Sequence, residues 1–247
     1  MAAARIIGVI FIALTCQGAS IVHVPFVGCE SSGQVESVPA PSGADKVVRL
    51  GASTARRLAY YKAEYSSGVL APRGWYCFGA TGSSSSEAFV TPQPVNKDDF
   101  FSPAWRGFTG PVILIEDIGA TTGSGRYTVA QVIARVFPKH KAFVEEVIGP
   151  DFDLASDFPF GSYPNDKLIY RGDRLVEYET PPHSEGLGTM TLRLQASDCP
   201  VDGVAILQGD TPDLLLLKVR LPAEMHDLTS HIIRQVEHDS AKRRPTR

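Results

Sequence analysis

The side chains best suited to acid–base chemistry are His183 and Glu185, in Pro181-Pro-His-Ser-Glu-Gly186. An imidazole titrates near neutrality, and a carboxylate two residues away can orient or charge it. A hydrolase also needs a nucleophile. No Gly-x-Ser-x-Gly elbow occurs, and the serine run Ser83 to Ser86 has no glycine on its far side. A site that gathers His183, Glu185 and a serine or aspartate from distant loops is the alternative reading, since such sets assemble in space.

Other patterns fall short of a defined chemistry. Gly119 and Gly125 enclose five residues, and Arg126-Tyr127 stands where a phosphate-cradling loop carries Lys then Ser or Thr, so a β-to-α connection is expected. His226, His231 and His238 are spaced by five and seven. Only the latter pair shares a helix face, two turns apart, too far to chelate one metal, so they read as surface histidines. His140 falls on an apolar stripe and reads as a core histidine. Asp151, Asp153 and Asp157 resemble the start of a calcium loop, but Ala155, Ser156 and Ser162 occupy the positions that must be acidic or Asn, Gly and Glu. Arg171-Gly172-Asp173 lies between two apolar runs and reads as a hairpin turn. No motif calls for a cofactor or a metal.

The cysteines say more. Met1-Ala-Ala-Ala-Arg5 followed by Ile6 to Thr15 has one positive charge before a short apolar run, the layout of a secretory leader. That run is about half the ~20 residues of a spanning helix, so no integral membrane segment is expected after its removal. Gly18, Ala19 and Ser20 place the cleavage near Ala19, which discards Cys16. Thr15 stands where a lipoprotein signal carries Gly, Ala or Ser. Periplasmic or secreted residence favours disulfides. Three cysteines remain, and Cys29–Cys77 is the preferred bridge, with the two other pairings open. Cys77 lies in an apolar strand, and Cys29 in a segment that a bridge would anchor. Cys199, in Ser197-Asp-Cys-Pro-Val-Asp-Gly203, is then the free thiol.

Loss of residues 1–19 removes one Arg and no acid, moving the formal charge from −3 to −4. Scattered Lys and Arg leave no nucleic-acid footprint. The expected organisation is a leader over 1–19, one α+β domain over 20–240, and a basic flexible tail over 241–247 ending in Lys242-Arg-Arg244 and Arg247.

Any site must be positioned by the hairpin within Gly68 to Pro94, the organising stretch of the chain. Val69-Leu70 and Trp75-Tyr-Cys-Phe78 suit a half-buried pleat, Gly82 to Ser86 the turn, and Ala88-Phe-Val90 the return strand. Alternation puts Trp75 and Cys77 on one face. Upstream, Thr54, Leu58, Tyr61 and Tyr65 recur at helical spacing, predicting a helix from Ser53 that ends before Gly68. Tyr60, Tyr61 and Tyr65 are pocket candidates, with core packing the expected use of the latter two.

Downstream, Asn96 to Gly110 is an aromatic loop and Val112 to Glu116 a buried strand. A helix with a Thr128–Gln131 capping box follows, broken at Pro138. Short apolar runs at 168–170, 175–180, 190–195, 204–207 and 214–221, split by turn residues, predict antiparallel strands. A helix from about Pro222 to His238 closes the chain. Strands gathered late with flanking helices define the α+β class: a largely antiparallel sheet flanked by helices, in a single domain.

Three stretches resemble a family of uncharacterised exported bacterial proteins. They are Pro25-Phe-Val-Gly-Cys-Glu-Ser-Ser-Gly-Gln34, Leu58-Ala-Tyr-Tyr-Lys62 with Gly68-Val-Leu-Ala-Pro-Arg-Gly-Trp75, and Thr180-Pro-Pro182 with Glu185-Gly-Leu-Gly188. The likeness spans most of the mature chain and implies export and one domain. It carries no activity. The order of elements is also similar to PsbP-like domains, a likeness of architecture alone. The functional expectation is therefore a non-enzymatic envelope or secreted protein that binds another protein or a small molecule.

Overall fold

Leu114, Ile115, Leu216 and Leu217 are all fully buried although neighbours in a strand face opposite ways, so the sheet that carries them must be covered on both faces. The computed structural model describes residues 20–33, 36–121, 123–150, 153–191 and 193–243. The leader with Cys16, Asp151, and Arg244 to Arg247 lie outside the described residues.

The chain opens with β1 (Ser20–Val24), β2 (Phe26–Cys29), β3 (Ser31–Ser32), β4 (Ser37–Val38) and β5 (Lys46–Leu50). Then come α1 (Ala52–Arg57), β6 (Leu58–Ala63), β7 (Val69–Pro72), β8 (Tyr76–Thr81), β9 (Ser85–Thr91), α2 (Lys97–Phe100) and β10 (Val112–Ile118). The second half holds α3 (Gly123–Val136), α4 (Lys141–Ile148), β11 (Lys167–Tyr170), β12 (Leu175–Thr180), β13 (Val201–Gln208), β14 (Asp213–Arg220) and α5 (Thr229–Arg243). Nine strands form one sheet in the order β11-β12-β13-β14-β10-β9-β8-β3-β4. All its pairings are antiparallel except β3 with β8. The class is α+β, as expected.

The sheet is two half-sheets joined at one seam. β8, β9 and β10 come from the first half of the chain, and β11 to β14 from the second. They meet where Val112 to Ile118 pairs with Arg220 to Leu214.

One face is apolar. Ala88, Val90, Ile113, Ile115, Val204, Ile206, Leu215, Leu217 and Val219 pack there against the small sheet β2-β6-β7 and α5. The Cys29–Cys77 disulfide ties β2 to β8, as the sequence favoured, and Cys199 is free. Trp75 and Cys77 both pack on this cluster, half-buried rather than sealed, because Trp75 precedes β8 and lies at the margin.

The opposite face is covered in two patches. The helices α3 and α4 cover Ile118, Leu214, Leu216, Ala205 and Leu207. An aromatic cluster of Phe78, Phe89, Phe100, Trp105 and Phe108 covers Val112 and Leu114. Between them the sheet carries charge. Glu116 and Glu87 are cross-strand partners, and each takes a cation. Lys218, 0 % exposed, places Nζ 2.8 Å from Glu116 Oε2 and donates to Thr191 Oγ1 at 2.5 Å. Arg193 sets Nε 3.0 Å from Glu87 Oε2 while stacking on Phe100. Burial first, and the neighbouring Glu116 charge second, push Glu87 up to about 7. Arg220, also buried, donates to the carbonyls of Phe108 and Gln195.

Three local expectations are corrected. The helix expected from Ser53 stops at Arg57, and β6 takes over. Leu58, Ala59, Tyr60, Tyr61 and Ala63 are buried on both sides of that strand, so its apolar run mimics helical spacing. Gly68 is required there for close approach and not as a helix stop: a Cβ would lie 2.3 Å from the Tyr60 ring. The described residues of the Met190 to Gln195 run join no ladder, although its sequence alternates like a strand. Thr191 and Arg193 reach the buried charges, Leu194 enters the aromatic cluster, and backbone pairing is confined to Phe108. The Thr128–Gln131 capping box is absent because α3 begins at Gly123; Thr128 is internal and donates to Ser124 O at 3.0 Å. The break at Pro138 stands, with a 3₁₀ turn over Pro138–His140 before α4.

Candidate functional site

The turn of the organising hairpin builds an open recess of about 310 Å³. Gly82 to Ser84 close the β8–β9 connection through Gly82 N–H to Ser85 O, at 2.8 Å. The far wall is the glycine loop after β10. Gly119 N–H donates to Ser84 O at 2.8 Å, and a Cβ on Gly125 would lie 2.3 Å from Gly119 O and 2.7 Å from Ser84 Cβ. The glycines of this loop thus bring the start of α3 against the serine turn, where Ser84 and Ser124 hydroxyls meet at 3.3 Å. Gly125 serves backbone approach, as expected of a β-to-α connection.

The recess is lined by Tyr65, Thr81, Ser83, Ser85, Asp117 and Thr121, with Gly82, Ser84, Ser86 and Gly119 completing the wall. Tyr65 is the correction to the tyrosine reading. Tyr60 and Tyr61 are core residues, but Tyr65 is 61 % exposed and stands at the mouth. Ser86 Oγ donates to its carbonyl at 2.7 Å, fixing the loop between β6 and β7.

Asp117, at the end of β10, is the one carboxylate of the lining. It accepts from Ser67 N–H at 2.5 Å and Ser67 Oγ at 2.6 Å, and Arg243 Nη1 donates to that same Ser67 hydroxyl at 2.7 Å. Burial raises its pKa, while the Ser67 hydrogen bonds and the charges of Arg243 and Lys62 pull the other way. Both its oxygens are committed to Ser67, so acting as a base would dismantle the wall. The recess presents a wall rich in hydroxyls, each able to donate and to accept.

The residues singled out for catalysis lie elsewhere. His183 and Glu185 are both exposed. The acid beside His183 is Asp198, with Oδ1 3.1 Å from Nε2, and His183 adopts φ 55°. His226 faces Asp202 at 3.4 Å, and half-buried His140 packs on the Phe137 ring. Asp157 accepts from Tyr127 Oη at 2.5 Å, and Arg171 to Asp173 form the β11–β12 turn. Lys242 and Arg243 of the terminal basic run belong to α5. Among the described residues no three His, Cys, Asp or Glu are grouped to hold a metal, and no helix is long and apolar enough to cross a membrane.

The sequence singled out the serine turn, yet Asp117 and Tyr65 gave no sign of joining it. Their approach depends on strand register and on Ser67, signals that local pattern does not carry. No family model matches the chain, and no curated protein and no solved structure matches it.

Proposed function

We propose that this is an exported, non-enzymatic binding protein whose recess at the serine turn takes a neutral, polyhydroxylated ligand of the carbohydrate class. The observation that carries the reading is the exposed Tyr65 ring beside a wall of serine and threonine hydroxyls with one fixed carboxylate. A sugar presents many hydroxyls that donate and accept and also offers C–H faces; hydroxyl walls match the first and an aromatic ring the second. An anion would meet the Asp117 charge, and an apolar ligand would strand the wall's hydrogen-bonding groups.

Export is supported by the Cys29–Cys77 bridge and by the leader pattern of the first nineteen residues. The hydrolase alternative gains an orienting acid, Asp198, but both side chains of that pair stand largely in solvent.

Titration with soluble neutral hexose and N-acetylhexosamine oligosaccharides tests the reading. Binding weakened about tenfold or more by Tyr65→Ala, with an unchanged melting temperature, is the expected result. Failure of every oligosaccharide to bind overturns it. Intact mass of envelope-derived protein tests export, with the mature chain expected to begin near Ser20.

A further inference from the structure

A second cleft, which shares no lining residue with the recess at the serine turn, has the opposite character. It encloses about 350 Å³ between the end of β5 and the outer face of α5. Arg49 and Gly51 come from the first side, and His231, Arg234, Gln235 and His238 from the second. The sequence offered His231 and His238 as solvated histidines two helical turns apart. Their place beside two arginines from separate elements gives them a shared neighbourhood.

The charge of this cleft is met only in part by nearby acids. Half-buried Glu237 is shared between Arg171 and Arg234, and Asp227, which also acts on His231, accepts both Nη groups of Arg57, at 2.5 and 3.0 Å. Asp239 holds Lys46 at 2.9 Å and accepts from Gln235 Nε2 at 2.9 Å, leaving His238 Nδ1 at 3.7 Å. Arg234 is braced on its own helix through Nε to Ser230 O at 2.9 Å and Nη2 to Ser230 Oγ at 3.0 Å. That bracing lowers the entropy lost when its guanidinium meets a ligand. Arg49 has no acidic partner among the described residues. Burial first, then the Arg234 charge, hold His231 below the usual imidazole range, so the arginines supply the charge and the His231 ring a directional donor.

We propose that this cleft is an anion site, and that its ligand is a phosphate monoester held by Arg49 and Arg234 with His231 and His238 at its flanks. The Arg49 guanidinium fork matches the bidentate geometry of phosphoryl oxygens, and Arg234, whose Nε and Nη2 are held by Ser230 and His231, adds Nη1. The volume exceeds that of phosphate alone, so a small polar group accompanies it. The site is separate from the hydroxyl recess and independent of the sugar reading.

Calorimetric titration of the full chain with glycerol phosphate, alongside uncharged glycerol, tests the proposal. A parallel arm sediments the protein with phosphatidate-containing vesicles and with phosphatidylcholine vesicles. Wild type should bind the phosphorylated member of at least one pair and neither neutral one. Arg49→Ala should weaken binding about tenfold, the loss of one charge-assisted pair.

Gly51→Asp is the second variant. The position is a helix N-cap with φ −67° and ψ 145°, and an added Cβ meets nothing within 4 Å. Aspartate is favoured at such a cap, so the fold is kept while a negative charge enters the cleft. It should abolish binding with no loss of thermal stability. Binding of the free ester assigns a soluble ligand, and binding of the vesicles alone assigns a lipid headgroup. No binding in either arm, or binding that both variants leave intact, overturns the proposal.

Discussion

The two faces of the nine-stranded sheet are built from the same strands and differ in what they carry across the seam. On one side Ile113, Ile115, Leu215, Leu217 and Val219 meet in an apolar layer. On the other, Glu116 and Glu87 oppose each other and are matched by Lys218 and Arg193. Apolar burial supplies adhesion roughly in proportion to area and tolerates small displacements. A buried ion pair adds little net stability, since desolvation offsets most of the attraction. Its effect is on register. A slip of one residue between β10 and β14 would turn Lys218 to the apolar face and leave both glutamates without it. One face holds the half-sheets together, and the other states where they must meet.

The largest expected effect separates these two roles. Lys218→Met should destabilise the protein by about 3–5 kcal/mol, because it leaves the Glu116 carboxylate buried and unpaired. Adding Glu116→Gln should restore a substantial part. On the apolar face, Ile115→Ala and Leu217→Ala should each cost about 2–5 kcal/mol with no such rescue when combined. Urea unfolding of the two sets measures this. Equal additivity on both faces would break the comparison.

A second effect depends on pH. Raising a carboxyl pKa from 4.5 to about 7 lets the folded state hold a proton that the unfolded chain has lost. The stability linked to Glu87 is therefore present below about pH 4.5 and is lost as pH rises through about 7. That change is on the order of 3 kcal/mol at ~1.4 kcal/mol per unit. Glu87→Gln should flatten that part of the profile, read as the difference between wild-type and variant unfolding midpoints across this window. A slope shared by both proteins would remove Glu87 as its source.

The smallest effect lies at the margin of the apolar face. Trp75 is half-buried, so Trp75→Ala should cost about 1–2 kcal/mol, less than the ~3–5 kcal/mol of a sealed aromatic. Thermal melts would show a modest downward shift. A loss as large as that of Leu217→Ala would mean that the indole closes the cluster.

Much of this frame was legible in the sequence. The hairpin β8–β9, the strand β10 and the limits of β12 follow from alternation and turn residues, and the break at Pro138 from a missing N–H. The Cys29–Cys77 bridge was the preferred of three pairings, from an apolar strand and a segment in need of an anchor, and the structure contains it. The helix expected through Tyr65 failed because a strand buried on both sides has no alternation to read. The charged cluster was hidden for another reason. Glu87, Glu116 and Lys218 lie on three separate strands with nothing local to link them, and only pairing across the chain brings them together. The two clefts share this property: Tyr65 meets Asp117, and Arg49 meets Arg234, through tertiary packing alone.

The seam between the half-sheets also governs the order in which the chain can become safe. Every residue of the disulfide loop and of β8, β9 and β10 is synthesised before β14 exists. During that interval Val112-Ile-Leu-Ile-Glu-Asp-Ile118 is an open edge, apolar and strongly β-forming, the kind of segment that recruits a second chain. Glu116 breaks its apolar run, and a polar carboxyl group awaiting Lys218 makes a poor steric zipper. The residue that fixes register in the finished sheet thereby also guards the unfinished one. Arrest of synthesis before Asp213 would leave that edge guarded only by the adjacent Glu116 and Asp117, which point to opposite faces.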